Sequence, residues 1–245
     1  MQKNKVIFKL NKSLDKKIAL EFLEVIKGGI DFSRGITEVH PELRNLRVIS
    51  SRVKKQETIN KYFDSFYNKH KIYLTRKVKE FQKYWYRIEA SFFSEAGKIF
   101  NKTSSKGREY TAYLSIINCN PRFLNNKSFQ VFYLHPQGVK YVASHEILHF
   151  LFYDYAIERF PAMFKKQDTE SGIFWDLSEI FNAVIQQTEP FIGLHGKVSD
   201  FVYPMHKKYL SQAKKSWHKY KDINQWIKLT YKYLMFGHRR EARWG

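Results

Sequence analysis

VKYVASHEILHFLFYDYAIER, residues 139–159, decides how this chain folds. Apolar side chains dominate the stretch and no glycine or proline interrupts it. It is bracketed by His135-Pro136-Gln137-Gly138 and by Pro161, which stop regular structure on either side. One long helix from about Val139 to Arg159 is the reading. Residues four apart share a helix face, so the imidazoles of His145 and His149 can converge on a single ion. Glu146 is one step round and projects beside that ion, where a general base belongs. A carboxylate inside so apolar a helix needs a partner, a metal or a function.

Working outward, Tyr110 to Ile117 and Phe129 to Leu134 are β-prone, with Asn118 to Lys127 supplying turn residues between them, and an antiparallel pair is the simplest arrangement. Downstream, a helix is expected over Phe174 to Gln187, ending near Pro190, and a basic helical region from about Lys207 to Phe236. At the other end, Lys5 to Leu10 reads as a strand. A helix capped by Ser13 follows, with an apolar stripe of Ile18, Phe22 and Val25/Ile26, ended by Gly28-Gly29. Ile59, Phe63, Phe66 and Tyr67 mark a second helix, and Val78, Phe81, Trp85, Ile88, Phe92, Ala96 and Ile99 a third. The aromatic residues of the third stripe read as core, not as a platform for stacking bases. Asn101 to Gly107, rich in Ser, Lys and Gly, is the expected boundary between a basic helical part (1–107) and a second part (108–245) packed with it as one unit. Strands leading into a central helix, then further helices, make an α+β architecture.

Composition narrows the chemistry. A 245-residue chain with 43% hydrophobic and 17% aromatic residues can fill a sizeable core, which excludes a disordered tail. The single cysteine, Cys119, allows neither an internal disulfide nor a multi-cysteine metal site, so a metal must be held by His, Asp and Glu. Cys119 itself reads as a small buried hydrophobe. The N-terminus lacks an apolar secretory region and no apolar run approaches a membrane span, so a cytoplasmic, soluble protein is expected. Zn2+ suits the donor set, because two neutral imidazoles and a carboxylate leave one tetrahedral position open.

The formal charge is +20, but residues 151–200 reverse its sign, with 4 Lys/Arg against 8 Asp/Glu. That acidic block directly follows the histidine pair. The basic excess lies in the flanks, 22 against 11 over residues 1–100 and 11 against 2 over 201–245. Such an excess attracts nucleic acid or another polyanion, or is only a solvated lysine-rich surface.

The motif His145-Glu146-Ile147-Leu148-His149 in its long helix, followed by a second helix bearing a carboxylate, resembles the zincin metallopeptidases and their gluzincin branch. In the metzincin branch a glycine and a third histidine follow shortly, where this chain has Phe152 and Tyr155. The gluzincin resemblance implies a third ligand from Glu179, in Trp175-Asp176-Leu177-Ser178-Glu179-Ile180-Phe181-Asn182, with Asp176, Asp168, Asp154, His195 and His206 as competitors. Asp176 and Asn182 become possible acceptors for a ligand imidazole. The chain is also similar to a group of uncharacterised bacterial proteins that share a strand, the metal helix, a Ser-Glu helix and a later Tyr-Pro-x-His, here Tyr203-Pro204-Met205-His206. The resemblance spans mainly residues 110 to 210 and implies that His206, and less directly Tyr203, steady an oxyanion.

The expectation is therefore a zinc-dependent hydrolase acting on a peptide or protein, with Glu146 as base. The rival is a basic nucleic-acid-binding or regulatory protein whose metal is structural, closed by four protein ligands, or absent.

Overall fold

The computed structural model describes residues 4–100, 107–199 and 202–241, with side chains to position 238 in the last stretch. Of the expected boundary at Asn101 to Gly107, only Gly107 falls within the described residues. In chain order the elements are β1 (Lys5–Leu10), α1 (Lys12–Phe22), β2 (Ile26–Lys27), β3 (Ile30–Asp31), α2 (Arg34–Thr37), α3 (Arg52–Lys69), α4 (Lys71–Ile99), β4 (Glu109–Ser115), β5 (Arg122–Phe123), β6 (Ser128–Phe132), α5 (Gly138–Arg159), α6 (Pro161–Phe164), α7 (Gly172–Ile185), α8 (Glu189–His195), α9 (Lys207–Tyr220) and α10 (Ile223–Glu241). Many helices together with a small sheet give the mixed, α+β character. The chain divides into two units, residues 1–90 with 106–143, and residues 91–105 with 144–245. No helix among the described residues is long and apolar enough to cross a membrane.

The first unit is built on a four-stranded sheet of order β1-β4-β6-β5. The antiparallel pairing expected of the two main strands is not what forms. β4 pairs in parallel with both β1 and β6, and only the two-residue β5 is antiparallel to β6. The reason lies in the connection: the chain leaves β4, descends along the outer side of β6 as β5, turns, and inserts β6 between the two. Asn118 to Lys127 is thus a crossover and not a hairpin turn. Register pairs Val6 with Tyr110 and Phe8 with Ala112, and all four side chains are buried.

Local chemistry also moves two boundaries. Asn11, not Ser13, caps α1, its Oδ1 accepting from Leu14 N at 3.0 Å. Gly28 and Gly29 do not end α1. With φ of 60° and 85° they form the tight turn of the β2–β3 hairpin, a conformation only glycine adopts freely at both positions. The basic C-terminal region is two helices, parted at Lys221 (φ 48°), after which Asp222 Oδ1 accepts from Gln225 N at 2.8 Å.

β1 is an edge strand, and α4 supplies its outer hydrogen bonds. Glu89 Oε1 accepts from Val6 N at 2.7 Å, Gln82 Oε1 accepts from Phe8 N at 3.0 Å, and Gln82 Nε2 donates to Val6 O at 2.9 Å. Gln82 and Glu89 are seven apart, so they lie on one face of α4. Deeper in the unit, Asp15 is wholly buried and accepts from Ser115 Oγ at 2.6 Å, Tyr67 Oη at 2.5 Å, Gln130 Nε2 at 2.5 Å and Ile116 N at 3.0 Å. One carboxylate thereby ties α1, α3, β4 and β6 together. Cys119 is buried as expected; burial, reinforced by the charge of Asp15, pushes its thiol up, so it is no thiolate nucleophile.

Burial also raises the Asp15 carboxyl from 3.8 to about 6, against the downward pull of its four hydrogen bonds. The folded state therefore binds a proton more tightly than the unfolded one. The stability this group contributes is full below about pH 4 and is lost as pH rises to about 6, amounting to about 3 kcal/mol. In urea unfolding across that range, the stability difference between wild type and Asp15→Asn should narrow by that order as pH rises. Parallel curves for the two proteins would contradict the assignment.

Candidate metal centre

α7 is buried on nearly all sides: from Phe174 to Ile185 every residue but Ala183 is inaccessible. Phe152 of α5 lies tilted at 4.7 Å from Phe181, and Tyr153 meets Phe174 edge-on at 4.9 Å. Phe164 lies 4.4 Å from Phe174 and Trp226 5.5 Å from Phe181. Polar groups on such a helix must find partners within the protein. Those facing α5 find its two histidines.

His149 Nε2 and His145 Nε2 approach to 3.0 Å. The Glu179 carboxylate faces both, with Oε1 3.5 Å from His149 Nε2 and Oε2 3.7 Å from His145 Nε2. The other ring nitrogens are held from α7: His145 Nδ1 donates to Gln186 Oε1 at 2.9 Å, and His149 Nδ1 sits 2.6 Å from Ser178 Oγ. An amide oxygen only accepts, so neutral His145 carries its proton on Nδ1 and turns the Nε2 lone pair toward Glu179. His149 is completely buried and Glu179 nearly so, whereas 21% of the His145 side chain is exposed, which gives the cluster its open side.

Three electron-pair donors that close together fit a cation. Ligand bonds of about 2.0–2.2 Å in a tetrahedron space the ligand atoms about 3.4 Å apart. The observed separations of 3.0, 3.5 and 3.7 Å bracket that value. Among the described residues this is the one group of His, Cys, Asp or Glu arranged to hold a metal, and it contains three ligands. Burial disfavours the charged imidazole of His145, but the contact with Glu179 and the charges of Glu146 and Glu179 outweigh it, and its pKa is raised. A proton and a metal therefore compete for the same nitrogen.

Glu146 is 5% exposed and close enough to act on the charge of His145. Several of the remaining expected residues have other partners. Asp176 is not beside a ligand imidazole: its carboxylate takes His206 Nε2 at 2.7 Å and His238 Nε2 at 2.9 Å. Asn182 is fully buried, yet its amide makes no hydrogen bond among the described residues, so it holds no imidazole either. His206 is buried against Trp175 at 5.1 Å, and Tyr203 meets Trp175 at 5.1 Å and His206 at 5.7 Å. Asp176 and His206 thus form their own pair, leaving Glu179 with the histidines. Among the other competitors, Asp168 accepts from Glu170 N at 2.9 Å and from Ser171 Oγ in an exposed turn, and His195 bonds the backbone of Gln186 and Lys197. Asp154 is outside the metal-capable group.

Ser178, Gln186 and His238 were not foreseen. Ser178 and Gln186 had a signal: with Asn182 they are the polar residues at four-residue steps along an apolar helix, one face by helical geometry. His238 had none. Compared with models of known protein families, with curated proteins and with solved structures, the chain matches none.

The two groups that fix the imidazoles should matter for metal affinity almost as the ligands do. Ser178→Ala and Gln186→Leu are each expected to weaken zinc binding about 10- to 100-fold, measured by competition with a chromogenic chelator. His149→Ala and Glu179→Ala should abolish stoichiometric zinc. Undiminished affinity in Ser178→Ala and Gln186→Leu would mean that the cluster does not ligate through Nε2.

Proposed function

We propose that this protein is a zinc-dependent hydrolase, most simply a metallopeptidase of the gluzincin kind. The observation that carries the reading is the convergence of His145 Nε2, His149 Nε2 and the Glu179 carboxylate between two helices, with His145 partly exposed. Three ligands leave a position for water or substrate, whereas a structural zinc site is closed by four. Zinc held by these residues would supply Lewis acidity to polarise a carbonyl and to acidify water.

The residues of the chain do the rest. Glu146, buried beside His145, takes the proton of the attacking water and passes it to the departing amine. Gln186 keeps His145 in the ligating tautomer, and Ser178 holds the His149 ring in place. His206 and Tyr203 are the residues the resemblance assigns to the oxyanion. Because Nε2 of His206 serves Asp176, the ring can donate from Nδ1 only when protonated at both nitrogens. A cytoplasmic peptide or protein is the substrate class that fits this reading.

Glu146→Gln separates binding from chemistry, being nearly isosteric and neutral. Zinc content should stay at one per chain while hydrolysis of a fluorogenic peptide library falls by about 10²- to 10⁴-fold. Undiminished hydrolysis by the variant would overturn the mechanism. A zinc-loaded wild type that cleaves no member of the library would overturn the peptidase assignment.

A further inference from the structure

α9 and α10 pack together, and a groove of about 390 Å³ runs between them. That is the size of a site for one small organic group. Its rim carries Lys215, Lys219 and Lys232, and no acidic residue lines it. All three lysines are exposed and, among the described residues, none is ion-paired. Three of its wall residues are aromatic and accessible, Tyr220 at 39%, Tyr233 at 42% and Phe236 at 55%. Tyr233 is braced edge-on by Tyr209 at 5.5 Å. Ser216 and Thr230 form the floor, 6% and 3% exposed, and neither hydroxyl has a hydrogen-bond partner among the described residues. Helical hydroxyls ordinarily return to the carbonyl four residues back. Here neither does so, and both residues line the groove.

Each feature constrains the occupant differently. Aromatic walls favour a flat ring, buried hydroxyls favour a ring with hydrogen-bonding edges, and the rim requires negative charge. An acyl anion leaves the hydroxyls unsatisfied, inorganic phosphate leaves the walls exposed, and a carboxylate side chain offers no ring. A nucleotide meets all three demands, and the wider excess of 11 Lys/Arg over 2 Asp/Glu across residues 201–245 suits a continuing phosphate backbone. We propose that the α9–α10 groove binds single-stranded nucleic acid. One base enters between Tyr233 and Phe236 with its polar edge on Ser216 and Thr230, and flanking phosphates rest on the three lysines. This activity is independent of the metal centre.

Fluorescence anisotropy of the full chain with a labelled oligothymidylate tests it. Saturable binding is expected, tighter than for a duplex of equal length, and weakened about 10-fold or more by Tyr233→Ala with Phe236→Ala. The triple variant Lys215→Gln, Lys219→Gln, Lys232→Gln should weaken binding and reduce the slope of log affinity against log salt by about 2, at about 0.7 for each phosphate no longer neutralised. Zinc content should be unchanged in both. Should the aromatic variant fail to fold, the lysine variant, altered only at exposed positions, still decides. Absence of binding at low salt, equal affinity for duplex, insensitivity to either variant, or tighter binding to polyglutamate or to phosphatidylserine vesicles would each overturn the proposal.

Discussion

Enclosing α7 is the constraint from which the second unit follows. A helix buried on nearly every side cannot leave polar side chains to water, so each one dictates a neighbour. Ser178 and Glu179 call for the histidines of α5, Asp176 for His206 and His238, and Gln186 just past the helix end for His145. The pairs 145 with 186, 149 with 178 and 153 with 174 step in opposite senses, so the two helices run antiparallel. Aromatic packing supplies the driving force and the polar pairs supply the register.

Much of this was legible because helical periodicity converts spacing into direction. His145, Glu146 and His149 could be placed on one helix from their numbers alone, and the apolar flanks announced that the helix would be buried. Glu179 came through the family resemblance, and the structure brings it to the same point. Asp176 and Asn182, possible acceptors by spacing, do not take that role, for one reason. Three residues from Glu179 is a neighbouring position on the helix surface, but which neighbour faces α5 depends on the crossing of two helices, and no local pattern encodes that crossing. Ser178 and Gln186 are the answer the crossing gives.

The sheet illustrates the same limit at larger scale. Strand propensity located Lys5–Leu10 and the cores of β4 and β6, since alternating or continuous apolar runs follow from burial. Direction did not follow. Twelve residues between β4 and β6 suffice for a wide turn or for a crossover that threads a short strand down the far side, and propensity does not distinguish them. The contacts that accompany the parallel arrangement are non-local: Asp15 on α1 gathers donors from β4, β6 and α3 at once, an arrangement visible only after folding.

The side chains of Gln82 and Glu89 have a consequence beyond the first unit's own hydrogen bonds. By occupying Val6 N, Val6 O and Phe8 N on the outer edge of β1, they interrupt the template on which another extended chain could align, which discourages edge-to-edge aggregation on that side. At the opposite side β5 is two residues long, too short for a ladder. With one edge engaged by a helix and the other cut short, the sheet offers little for an added strand to pair with.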